Sequence, residues 1–142
     1  GAAFEISVVN VDKPPLEEGE VRRRLVQFRG RWPVLLTRAR TFVEKASLFP
    51  GCTFVIGWDT AVRLIHPRYY EGGQDGMIEA LTTMREAGCK VLVAGRVEDG
   101  VFRTLEDVPI PNGFSEMFEA VPECRFRSDV SSTELRMDGG RT

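Results

Sequence analysis

Paired cysteine motifs, a second histidine, a long apolar run and a charge excess are all missing from this 142-residue chain. Cys52, Cys89 and Cys124 are odd in number, widely spaced and free of any C-x-x-C pair, which argues against a disulfide framework and against a zinc site. That usage fits a reducing compartment, and a cytoplasmic location is expected. His66 is the single histidine, so a mechanism needing two cannot run within this chain. No apolar stretch approaches the roughly 20 residues that span a bilayer, so no membrane partner is expected. A formal charge of -2 removes the global electrostatic argument for binding nucleic acid. Repeats and low-complexity segments are absent as well.

What remains is the composition of a soluble globular protein, 42% hydrophobic and 28% charged. A chain of this length buries roughly two-thirds of its unfolded surface in one core, so a single domain over residues 1–142 is expected, with a frayed tail at 137–142. The chain opens Gly1-Ala2-Ala3 without methionine and soon enters an apolar segment, which reads as something other than a natural N-terminus.

The organising stretch is TFVIGWDT, residues 53–60. Four apolar residues from Phe54 run into Gly57, the pattern of a strand buried on both faces of a parallel sheet, followed by a helix over residues 60–65. Other elements alternate around it. Residues 4–11 read as a strand ending in the stiff Asn10-Val11-Asp12-Lys13-Pro14-Pro15 loop. A helix after Glu17 places Val21, Leu25 and Phe28 on one stripe. Residues 34–37 and 90–94 read as strands, 41–49 as a helix, and 77–87 as the clearest helix, closed by Gly88. Glu98-Asp99-Gly100 signals a hairpin turn, residues 114–121 a short helix, 124–127 a last strand, and Ser131-Ser132-Thr133-Glu134 a capping box opening a final helix. Strand–helix alternation implies a three-layer, Rossmann-like parallel α/β sheet with helices on both faces.

Ligands of such sheets bind beyond the carboxyl ends of the strands. Four loops would converge there: residues 10–15, 57–59, 95–96 and 129–136. Each has an ordinary alternative. Asp59 suits an N-cap, Gly57 a tight turn, Arg96 a solvated surface position, and Ser131 with Glu134 a cap alone. Together they suit a nucleotide, with Asp59 accepting from ribose hydroxyls and Ser131, Ser132, Thr133 and Arg136 facing phosphate oxygens. Trp58, Tyr69 or Tyr70 could stack on a ring, or anchor packing.

At these residues the chain resembles the nucleotidylyltransferases of the H-x-G-H superfamily, in the nicotinamide or nicotinate mononucleotide adenylyltransferase-like, cytidylyltransferase-like branch. The matching pieces are NVDKPP from Asn10, FVIGWD from Phe54, VAGR ending at Arg96, and DVSSTELR from Asp129. The resemblance implies in-line attack of a phosphomonoester, such as a mononucleotide, on the α-phosphate of a nucleoside triphosphate, with Mg2+ carried by the phosphates. It implies Gly57 and Asp59 as ribose contacts, and Ser131, Ser132, Thr133 and Arg136, joined by Arg96, as triphosphate contacts. Asn10, Lys13, Tyr69 and Tyr70 fall on the side of the second substrate.

The family's first strand, glycine-rich turn, helix and H-x-G-H pair would precede Phe4 and have no counterpart in this sequence. No catalytic residue is therefore assigned, and little or no transferase activity is expected from this chain alone. A sheet lacking that strand would expose an edge, which predicts pairing with a second copy. The alternative is a non-catalytic nucleotide-binding or assembly module of the same fold.

Overall fold

A computed structural model describes residues 2–9, 14–28 and 33–121. The chain divides into two compact units, one over residues 1–45 and one over 46–131.

In the first unit, strand β1 (Phe4–Ser7) pairs in parallel with β2 (Val34–Thr37), with Phe4 opposite Val34 and Ser7 opposite Thr37. Parallel neighbours need a crossover, and helix α1 (Glu18–Val26) lies on it. The ring of Phe28, just beyond α1, lies 4.5 Å from that of Phe4. Val21, Leu25 and Phe28 are half-buried while Arg22 and Arg23 are exposed, so the stripe read from the sequence is the inward one. Glu18–Arg22 and Glu20–Arg24 ion pairs at i,i+4 lace the outer face, with Glu20 also bonding Arg23. The strand read over 4–11 is regular only as far as Ser7, and its last two residues lie outside the described ones. Glu5 is held on both oxygens, accepting from Thr37 Oγ1 at 2.6 Å and pairing with Lys45 Nζ at 2.9 Å.

Helix α2 (Phe42–Leu48) begins with a reciprocal cap: Glu44 N–H donates to Thr41 Oγ1, and Thr41 N–H to Glu44 Oε2. The second unit then holds a parallel sheet of order β3-β4-β7, built from β3 (Thr53–Gly57), β4 (Lys90–Ala94) and β7 (Phe118–Ala120). Between them lie α3 (Trp58–Leu64), α4 (Gly73–Glu86) and the antiparallel hairpin β5 (Arg96–Glu98) to β6 (Val101–Arg103). The hairpin turns through Asp99 and Gly100, both at positive φ, as the Asp-Gly pair predicts for a two-residue primed turn. α4 ends at Gly88, φ 78°, in the left-handed conformation its position after the last apolar turn requires.

Aligned residues of parallel strands point to one side, and here the sides differ. Ile56, Val91, Val93 and Phe118 are buried, α3 packs against β3 and β4, and α4 buries Met77, Leu81 and Met84. On the other side Val55 is 67% exposed, and Thr53, Lys90 and Glu119 are exposed too. β3 is thus not buried on both faces as its apolar run suggests. That pattern reports hydrophobic content, which does not distinguish two covered faces from one.

Two further expectations change. The helix read over 60–65 starts at Trp58, with Gly57 as its N-cap. The helix read over 114–121 is a 3₁₀ turn, Ser115–Met117, followed by β7. Pairing explains the second change: Phe118 and Ala120 align with Val91 and Val93, and Val121 N–H donates to Val93 O at 2.9 Å, so sheet hydrogen bonds replace a single helical turn. The strand read at 124–127 and the helix opening at Ser131 lie outside the described residues. The architecture is mixed α/β with parallel sheets and helices.

Candidate functional site

β3 and β4 end side by side, Gly57 opposite Ala94, and each is followed two residues later by a charged residue, Asp59 and Arg96. From β3 the chain passes through Gly57, extended at φ -80° and ψ 163°, into the first turn of α3. Asp59 lies in that first turn, beside the positive end of the peptide dipoles. Asp59 is therefore a first-turn residue, and the N-cap role suggested by its sequence position belongs to the backbone of Gly57. From β4 the chain passes through Gly95, where an ideal Cβ would lie 2.7 Å from both Arg103 O and the Phe102 ring. That close approach requires glycine and seats β5 so that Arg96 turns toward Asp59.

The two exits meet. Asp59 Oδ2 lies 3.5 Å from Arg96 Nη1 and 3.6 Å from Arg63 Nη2, while Arg96 Nε lies 3.4 Å from Glu98 Oε2. Asp59 Oδ1 crowds Gly57, since a Cβ placed on that glycine would come within 3.0 Å of it. Two carboxylates and two guanidinium groups make a neutral, solvent-accessible cluster in which Asp59 is 46% and Arg96 36% exposed. Such pairs are each worth about 0–1 kcal/mol, because water already solvates both ions well. An incoming ligand could exchange them at little cost. Asp59 offers acceptors to a diol, and Arg96 offers a planar fork of donors to an oxyanion.

Tyr69 and Tyr70 stand elsewhere, beyond the C-terminal end of α3, whereas Asp59 is at its start. Tyr70 is half-buried and its hydroxyl donates to Leu64 O at 2.7 Å. Burial pushes that phenol up to about 12. Tyr69 is 41% exposed with the Arg68 guanidinium 4.8 Å over its ring, and His66 meets it edge-on at 5.9 Å. His66 itself accepts from Arg68 N–H and caps the 3₁₀ turn Pro67–Tyr69. Asn10, Lys13, Ser131, Ser132, Thr133 and Arg136 lie outside the described residues, as does most of the 10–15 loop.

Sequence reading missed two members of the cluster. Arg63 was legible from the Asp59-x-x-x-Arg63 spacing, which puts both on one helical face. Glu98 carried no signal beyond its place before the Asp-Gly turn. A third feature is the Trp58 indole, whose Nε1–H is buried without a partner at the first position of α3. Among the described residues, no group of three or more His, Cys, Asp or Glu is arranged to hold a metal ion, and no helix is long and apolar enough to cross a membrane. Compared with known proteins, the chain matches no family model, no curated sequence and no solved structure.

Proposed function

We propose that the cluster at the carboxyl ends of β3 and β4 is the nucleoside side of a nucleotide site in a nucleotidyltransferase-like domain built on a three-layer Rossmann-like sheet. The observation that carries this reading is the 3.5 Å approach of Asp59 and Arg96 from two consecutive strand exits. In this account Asp59 accepts from ribose hydroxyls at the Gly57 exit, and Arg96 turns from Asp59 to a phosphate. Ser131, Ser132, Thr133 and Arg136 are assigned to the triphosphate, and Asn10, Lys13, Tyr69 and Tyr70 to the acceptor phosphomonoester, on the motif resemblance alone. The parent reaction would pass a nucleotidyl group from a nucleoside triphosphate to that acceptor. The Mg2+ that such chemistry uses would travel on the phosphates. Among the described residues, no group of three or more His, Cys, Asp or Glu is placed to hold it.

The 142 residues contain one histidine and no H-x-G-H. This polypeptide by itself is accordingly expected to bind nucleotide without turning it over. Pyrophosphate release from ATP or CTP with a mononucleotide acceptor should stay at the no-enzyme background, and release above it would overturn that part of the proposal. In a thermal-shift assay, ATP or CTP should raise the unfolding midpoint, and Asp59→Ala or Arg96→Ala should abolish the rise.

A second reading, a non-catalytic assembly module, has its own observation. Among the described residues β3 has one neighbour, β4, and its Val55 is 67% exposed. A dimer by light scattering with no response to any nucleotide favours that reading over the first.

A further inference from the structure

The opposite end of the same two strands carries a different chemistry. Cys52 immediately precedes β3 and Cys89 immediately precedes β4, and their sulfur atoms lie 4.0 Å apart. They are 37 residues apart in sequence. The ladder register explains how they meet: Thr53 pairs with Lys90, so the residues one step earlier face each other across the start of the sheet. Lys90 N–H donates to Cys52 O at 3.0 Å and Gly51 N–H to Ala87 O at 2.8 Å, fixing both loops. Adjacent strands run about 4.8 Å apart, inside the about 4.4–6.8 Å window of Cα separations that disulfides use. Bond formation therefore needs side-chain rotation to bring the sulfurs to about 2.05 Å, with the strands staying in place.

The two thiols differ in access. Cys89 is 3% exposed and rests against Phe49 O at 3.6 Å, whereas Cys52 is half-buried. We infer that Cys52 and Cys89 form a redox-active dithiol, in which Cys52 is the entry sulfur and Cys89 the resolving one, closed by exchange with a small-molecule disulfide. The Cys52 thiolate attacks one sulfur of the reagent RSSR, forming a mixed disulfide and expelling RS⁻, which takes up a proton. The Cys89 thiolate then attacks Cys52 Sγ, forming the Cys52–Cys89 bond and expelling the second RS⁻. Two protein thiols are oxidised and one RSSR is reduced to two RSH, so electrons and protons balance. Burial holds the Cys52 thiol up at about 11, with the neighbouring Cys89 adding to the shift, so little thiolate is present at neutral pH and the exchange speeds up as pH rises.

The test uses the full chain incubated with excess glutathione disulfide under mildly alkaline conditions, followed by thiol counting and non-reducing peptide mass mapping. The expected result is a peptide pair linking Cys52 to Cys89 with no glutathione on either residue, reversed by dithiothreitol. Cys124→Ser should give the same link, and Cys89→Ala should stop at glutathione retained on Cys52. If Cys89→Ala does not fold, the Cys124→Ser protein decides alone, because its two remaining thiols can be lost together only through each other or by carrying glutathione, and mass separates those. Glutathione persisting on Cys52 in the unsubstituted chain, or both thiols intact after prolonged exposure, would overturn the inference.

Discussion

At Gly76 and Gly19 the same substitution should act in opposite directions. An ideal Cβ on Gly76 would run into the Glu71 carbonyl oxygen, a backbone atom that moves only with its chain. Gly19, in α1, has nothing within 4 Å of that position. Gly76→Ala is expected to cost about 2 kcal/mol or more by forcing the entry to α4 to shift, while Gly19→Ala gains roughly 0.5–1 kcal/mol from helix propensity and a stiffer unfolded chain. Urea denaturation of the two variants checks this pair. Titration gives a second contrast at this scale. Cys52 is raised from 9.0 to about 11 and Tyr70 from 10.0 to about 12, both mainly by burial. A raised folded-state value means the native protein holds the proton more tightly than the unfolded chain. The associated stability is therefore complete below about pH 9 and is lost as pH rises, first through Cys52 toward 11 and then through Tyr70 toward 12. Denaturation midpoints followed across alkaline pH should show Tyr70→Phe removing the later part of the decline and Cys52→Ser the earlier part. Tyr70→Phe should also cost about 1 kcal/mol at neutral pH, because Leu64 O loses its hydroxyl donor.

The elements that sequence patterning located well are those whose signal is local. Gly88 after an amphipathic stripe, Asp99-Gly100 between short strands, and the KVLVA run at β4 each specify their conformation within a few residues, and each appears where expected. Where pairing with a distant strand decides, the pattern fails. Residues 114–121 have helix-like apolar spacing, yet Phe118 joins β4 because that ladder is available, and no feature of the segment itself announces it. The one-sided burial of β3 is similar, since Val55 and Ile56 are alike in hydropathy and differ only in which side of the sheet they meet. Of the four charged residues in the candidate cluster, Asp59 and Arg96 lie at strand exits that chain order alone identifies, Arg63 follows from its i,i+4 spacing to Asp59, and Glu98 joins only through the fold of a hairpin. The contrast between sheet sides is measurable: Leu81→Ala, at a fully buried α4 position, should cost about 2–5 kcal/mol. Val55→Ala should cost less than about 1 kcal/mol, as little surface leaves water there.

At the scale of the whole molecule, the second unit carries two candidate sites at opposite ends of β3 and β4, a charged cluster at the carboxyl ends and a pair of thiols at the amino ends. Their separation by the length of the strands makes them independently testable, since oxidation of Cys52 and Cys89 leaves Asp59 and Arg96 chemically unchanged. The cluster is neutral and open, so its variants remove weak ion pairs and leave the core of α3 and α4 intact. Calorimetric titration of the full chain with ATP and with CTP, repeated on Asp59→Ala and Arg96→Ala, tests the nucleotide reading most directly. Saturable binding weakened about 10-fold or more by each substitution, a loss of about 1.4 kcal/mol, is the predicted result. Absence of binding to either nucleotide, or affinities unchanged by both substitutions, would contradict it.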